Sequence, residues 1–127
     1  MAIVLYGIKN CDTVKKARQW LTDHHIDYRF HDFRSDGLNP ELLSAWLKQV
    51  GLEVLLNRSS TSFKQLSDAD KHASTDEAKA HALILATPTL IKRPVLDLDG
   101  RIIVGFNAKQ GGYQHAVSLA EPNENNA

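Results

Sequence analysis

The chain has 127 residues, 43% of them hydrophobic, which suits one domain with a core of its own. Fifteen basic and fifteen acidic residues cancel, which argues against a general nucleic-acid binder, and no such partner is expected. A single cysteine excludes an internal disulfide and a cysteine-built zinc site, and it fits a reducing compartment, so a cytoplasmic protein is expected.

The opening run AIVLY (Ala2–Tyr6) is continuous and apolar, as expected of a strand covered on both faces. It is too short for a signal-peptide core, and no later run approaches membrane-spanning length, so no membrane partner is expected. Gly7 ends the strand. A helix is predicted from Asp12 to about Asp23, with Val14, Ala17 and Leu21 at helical spacing. YRFHDF (Tyr28–Phe33) alternates aromatic and polar side chains and reads as a second strand.

Asn39 is a good N-cap and Pro40 suits the first helical position. The helix they open carries Leu42, Leu43, Trp46, Leu47 and Val50 along one face, and Gly51 suits its stop. From Leu52 to His72 the pattern breaks up and predicts short helical turns, with Ser59, Ser60 and Thr61 as a cap or turn. Ser74 and Glu77 read as a capping box for a helix that ends before Pro88. PVLDLDGRIIV is a hairpin signal, because Asp99-Gly100 tolerates the positive φ of a type I′ turn. A last amphipathic helix is predicted from about Ala108 to Leu119, although Gly111 and Gly112 weaken its first turn. The tail Glu121–Ala127 lacks bulky apolar residues and is expected to fray.

Strand–helix–strand implies a parallel pair with a right-handed crossover, and the hairpin adds an antiparallel pair. The expected architecture is one thioredoxin-like domain over residues 1–120. It has a mixed four-stranded sheet flanked by helices and a helical insertion at about 39–92. Trp20 and Trp46 are expected to anchor the core.

Cys11 falls where the first strand gives way to the first helix. Unpaired amides and the positive end of the helix dipole favour a thiolate there. Lys9, Lys15 and Lys16 add positive charge, and Asn10 and Thr13 offer polar donors. Asp12 opposes them, unless it serves as a first-turn helix acid or pairs with Lys16. The alternative for Cys11 is an inert buried cysteine, but its polar neighbours favour exposure. The six histidines lack metal-ligand spacing: His24 and His25 are adjacent and suit a helix C-terminus, and His72 and His81 lie in separate elements. No metal site is expected.

The segments YGIKNCDTVKKA, LLNRSSTSFK and TPTLIKRPVL, the last followed by a GR turn and VGF, resemble the arsenate-reductase-related family of thioredoxin-fold proteins. The similarity spans roughly Ile3 to Leu119 and points to the YffB-like branch, regarded as glutathione-dependent thiol reductases. The resemblance implies that Cys11 is the nucleophile, that Pro94 is a cis-proline preceded by Arg93, and that Arg58 is a second arginine near the thiol. Arg58 as an ordinary loop charge and Arg93 as a surface ion-pair partner remain open.

Three departures matter. Asp12 stands where arsenate reductases of the family place glycine or serine. IIVGFN supplies no arginine after the hairpin. Val14 occupies the last position of the C-x-x-C switch seen in Spx-like regulators. Efficient arsenate reduction and an internal disulfide switch are therefore not expected. One thiol can attack a mixed disulfide and must then be resolved by an external thiol. Glutathione is the expected co-substrate, with no tightly bound cofactor. Lys9, Arg58 and Arg93 would hold its carboxylates or the thiolate, and the Thr89–Arg93 main chain would pair with its backbone. A protein thiol is a further expected partner, and the chain is expected to be a monomer.

Overall fold

β1 (Ile3–Gly7) lies inside a four-stranded sheet of order β2-β1-β3-β4 in the computed structural model, which describes residues 2–115 and 117. β2 (Arg29–Asp32) runs parallel to β1, with Gly7 opposite Asp32. β3 (Val95–Leu98) is antiparallel to β1, with Tyr6 opposite Val95, and β4 (Arg101–Val104) completes the hairpin. The hairpin turn has Asp99 at φ 53° and Gly100 at φ 102°, as an Asp-Gly pair allows. This is the thioredoxin-like mixed sheet with flanking helices.

Two cores form, one on each face of the sheet. α1 (Asp12–Asp23) buries Val14, Ala17 and Leu21. Ala17 and Leu21 pack with Leu5, Leu96, Leu98, Tyr113 and Val117. The other face is larger and carries the insertion. α2 (Phe33–Asp36) is followed by α3 (Pro40–Val50), whose Asn39 side chain accepts from the amides of Glu41 and Leu42. α3 buries Leu43, Trp46 and Leu47 against Tyr6, Phe33, Leu55, Ile84, Leu90, Ile91 and Val95. Tyr6 and Trp46 meet edge to face at 4.8 Å, a favourable aromatic geometry.

The broken segment folds as three short helices: α4 (Leu52–Leu55), α5 (Thr61–Lys64), capped by Ser60, and α6 (Asp68–Ala73). α7 (Glu77–Ala86) then leads through a 3-10 turn, Pro88–Leu90, to β3.

Several expectations need correction. Ser74 does not cap α7. It sits helically at the end of α6, and its hydroxyl donates back to the Lys71 carbonyl at 2.6 Å, so Asp76 caps α7 instead. The helix expected from Ala108 does not begin there as an α-helix: Ala108–Gln110 is a 3-10 turn, and Gly111 and Gly112 take φ of 91° and 59°. A Cβ on Gly112 would lie 2.7 Å from the Trp20 indole nitrogen, so the close approach and the left-handed backbone both require glycine. Residues 116, 118 and 119 of that helix, residue 120 and the tail 121–127 lie outside the described residues. Asp12 and Lys16 form no ion pair; among the described residues the ion pair is Arg58–Glu53. Trp46 is buried as expected, whereas Trp20 is half-buried against Tyr113 and stacks on His24.

Candidate functional site

Cys11 is the N-cap residue of α1, with extended backbone angles of φ −106° and ψ 123°. Its carbonyl accepts the Lys15 amide at 3.0 Å, while its side chain makes no capping bond. The thiol is free and half-buried at the start of a twelve-residue helix, where the first-turn amides lack intrahelical acceptors. Thr13, one turn position on, is half-buried, and Lys9 and Asn10 are exposed in the preceding turn.

The sheet decides what faces this loop. Gly7, the last residue of β1, lies opposite Asp32 of β2. β1 pairs antiparallel with β3 as far as Tyr6–Val95, so Gly7 and Ile8 leave β1 at the end where Arg93 and Pro94 enter β3. The nucleophile loop and the Arg93–Pro94 segment thus leave the same end of adjacent strands. A Cβ on Gly7 would lie 2.7 Å from Val14 Cγ2, so glycine lets α1 sit close behind the loop. The Arg93–Pro94 peptide bond is cis, Pro94 is buried, and its carbonyl accepts the Gly105 amide at 2.7 Å. The aliphatic stem of Lys92 runs over Gly105, with Cε 3.3 Å from where a Cβ would stand.

The two arginines are engaged elsewhere. Arg93 turns back on its own segment: Nη1 donates to the Thr89 carbonyl at 2.8 Å, and its buried Nε has no partner among the described residues. Arg58 donates to Glu53 Oε1 at 3.0 Å and to Ser74 Oγ at 3.2 Å, and it lies 5.5 Å from the Phe63 ring centroid. Among the described residues neither guanidinium hydrogen-bonds to Cys11. Arg58 clasps the helical insertion together in this conformation, although its pair with an exposed Glu53 is worth only about 0–1 kcal/mol.

The Thr89–Arg93 main chain is less open than the sequence suggests. The Asn57 amide donates to the Leu90 carbonyl and the Lys92 amide to the Leu55 carbonyl, each at 2.8 Å, and Leu56 pairs with Ile91. Leu90 and Ile91 amides return to Thr87 and Pro88, and the Thr89 hydroxyl meets Ser62. The insertion therefore takes up the Leu90 carbonyl and the Lys92 amide of the expected edge. Among the described residues, the Thr89 amide, the Thr89, Ile91 and Lys92 carbonyls, and both the amide and carbonyl of Arg93 keep no backbone partner.

Behind the loop, the Tyr6 phenol is pushed above its ordinary range, chiefly by burial and then by the Asp97 carboxylate, with Arg29 opposing. A concavity of about 900 Å³ between α3 and α7, lined by Glu41, Ser44 and His81 among others, includes none of the residues above. No group of three or more candidate metal-binding side chains occurs among the described residues, and no helix among them is long and apolar enough to cross a membrane.

One residue of the site was missed in the sequence. Asp32 read as a polar position of an alternating strand, yet its buried carboxylate reaches the Lys9 amide. The signal was present: an Asp before FRSD and a glycine after it mark a short capped helix.

Comparison with known proteins places these features. The sequence model of the ArsC family matches residues 6–112. An uncharacterized protein of Haemophilus influenzae is 46% identical over 116 residues, covering 91% of this chain and 99% of that one. The solved structure of the YFFB protein superposes with a TM-score of 0.82 at 48% identity, covering 94% of this chain and 98% of that chain. The global transcriptional regulator Spx of Lactiplantibacillus plantarum is 29% identical over 107 residues, 83% of this chain and 80% of that protein.

Proposed function

The chain belongs to the ArsC family, and on that premise we propose that it is a glutathione-dependent thiol–disulfide reductase working through one cysteine, Cys11. The observation that carries this reading is a free, half-buried thiol at the N-terminus of α1, at the strand ends where Arg93 keeps an unpaired amide and carbonyl.

The Cys11 thiolate attacks the glutathione sulfur of a mixed disulfide. A bond forms between the two sulfurs, the old S–S bond breaks, and the released thiolate takes a proton from water. A second glutathione thiolate then attacks the Cys11-bound glutathione sulfur. Glutathione disulfide leaves and the Cys11 thiolate is restored. The helix end, Asn10 and Thr13 stabilise the thiolate, and Lys9 attracts the glutathione carboxylates. The main chain of Arg93 beside Pro94 takes the glutathione backbone. Arg93 and Arg58 each keep N–H donors beyond those given to Thr89, Ser74 and Glu53, and these meet a carboxylate. The reaction needs no resident cofactor, and it suits a monomer in a reducing cytoplasm.

The test is disulfide exchange with a glutathionylated peptide. Cys11→Ser is expected to abolish turnover while leaving the fold intact. Arg93→Ala and Arg58→Ala are expected to raise KM more than they lower kcat. Activity that survives Cys11→Ser ends the proposal; unchanged KM in both arginine variants removes the arginine roles.

Similarity to Spx favours a second reading, a redox-sensitive protein-binding module in which Cys11 is a contact and no turnover occurs. A third and weaker reading is arsenate reduction, disfavoured by Asp12 beside the thiol. Arsenate-dependent turnover with glutathione would revive it.

A further inference from the structure

We propose that the buried carboxylate of Asp32 is a positioning residue that sets the Cys11 loop. The inference rests on the reading that Cys11 is the reacting group.

Asp32 is only 7% exposed and has no cation partner among the described residues. A buried carboxylate is costly unless it is fully hydrogen-bonded, so its acceptors show what it is for. Oδ1 accepts the Arg34 amide at 2.8 Å and caps α2. Oδ2 accepts the Lys9 amide at 3.2 Å, across 23 residues of sequence. The Asp32 amide donates in turn to Asp36 Oδ2 at 3.1 Å, which holds the aspartate at the strand end.

A helix cap needs one oxygen, and serine or asparagine would supply it. The second oxygen is the part that capping does not explain, and it goes to the nucleophile loop. That loop has little else. Ile8 is buried, but Lys9 and Asn10 are exposed. Among the described residues the Lys9 amide bond is the one hydrogen bond that ties this turn to another element. Cys11 lies two residues on. Asp32 thus joins the end of β2 to the turn that sets where the thiol stands relative to Arg93 and Pro94. A bond from an amide to a carboxylate is charge-assisted, and at 3.2 Å this one is long for its class, a single light tether on the loop.

Asp32→Ser separates the two roles, because a hydroxyl reaches the cap amide and is too short to reach Lys9. Asp32→Asn is the second variant, retaining one acceptor oxygen and losing the other. Both are made in the full chain, with thermal unfolding followed by circular dichroism. Amide hydrogen exchange at Lys9 and iodoacetamide alkylation of Cys11 are measured on the folded protein. With one loop hydrogen bond removed, Asp32→Ser is expected to lower Lys9 protection about tenfold and to change the alkylation rate at least about threefold. Its far-UV spectrum should stay native. In peptide exchange, kcat should fall more than KM rises. Lys9 protection and Cys11 alkylation both within about twofold of wild type in Asp32→Ser and Asp32→Asn would overturn the proposal. Loss of Lys9 protection with unchanged alkylation would overturn it as well. If wild-type protein shows no exchange with glutathionylated peptide, the reductase reading fails, and the two other readouts still decide the role of Asp32.

Discussion

Two loops meet at the end of the sheet, and they are held in opposite ways. The segment Thr89–Arg93 is netted by Leu55, Asn57, Ser62 and its own arginine, with Leu90 and Ile91 fully buried beneath it. The turn at Lys9–Asn10 rests on one carboxylate oxygen and the burial of Ile8. The difference separates a rigid platform from an adjustable nucleophile. Residues ordered before a ligand arrives do not have to be ordered by it, so a fixed platform lowers the entropic cost of binding. The thiol must approach a sulfur and then withdraw, and a lightly tethered loop permits that.

The largest disturbance should come from unseating the platform. Ile91→Ala removes a fully buried side chain and is expected to cost about 2–5 kcal/mol, read by urea unfolding. If the platform does the binding, KM for a glutathionylated peptide rises in this variant while Cys11 alkylation stays near wild type. Gly7→Ala strikes the other loop. The added methyl meets Val14 Cγ2 at 2.7 Å, and displacing α1 is expected to cost about 1–3 kcal/mol. Here alkylation of Cys11 should change more than KM does. An equal effect of both variants on both readouts would erase the contrast.

Ser62→Ala tests the netting more gently. Loss of the hydrogen bond to Thr89 is expected to cost about 0.5–1.5 kcal/mol, with a smaller rise in KM than Ile91→Ala produces. Tyr113 lies outside both loops and serves as the control. Burial raises its phenol above the ordinary range, and its hydroxyl has no partner among the described residues. A raised phenol contributes stability that is complete below the unfolded value of about 10 and is lost as pH rises toward the folded value. Tyr113→Phe should therefore flatten the alkaline fall in stability above about pH 10, measured by urea melts across pH. Near pH 7 it should leave stability within about 1 kcal/mol of wild type or slightly above it, because the orphan hydroxyl is gone.

The site is partly legible in the sequence. Cys11 at a helix start followed from an apolar strand, a polar turn and helical spacing, all of them local signals. Asn39, Pro40 and Gly51 marked α3 for the same reason. Ser74 misleads because two candidate caps, Ser74 and Asp76, stand two residues apart, and which one works depends on where α6 stops. The glycines at 111 and 112 were read as weak helix formers. Gly112 is instead the residue that lets the chain close on Trp20, a contact made 92 residues away in sequence.

Local sequence alone determined the strands, α1, α3 and the Asp-Gly hairpin, because period, capping and turn chemistry act within a few residues. Tertiary structure decided that the insertion takes up the Leu90 carbonyl and the Lys92 amide, that Arg58 and Arg93 are occupied, and that Asp32 holds the thiol loop. The Asp32–Lys9 bond and the bonds of Leu55 and Asn57 to Lys92 and Leu90 join partners brought together by the fold, whereas Arg93 and Arg58 turn to Thr89 and Glu53, only four and five residues away. Composition and periodicity carry no record of which donor will find which acceptor across a fold.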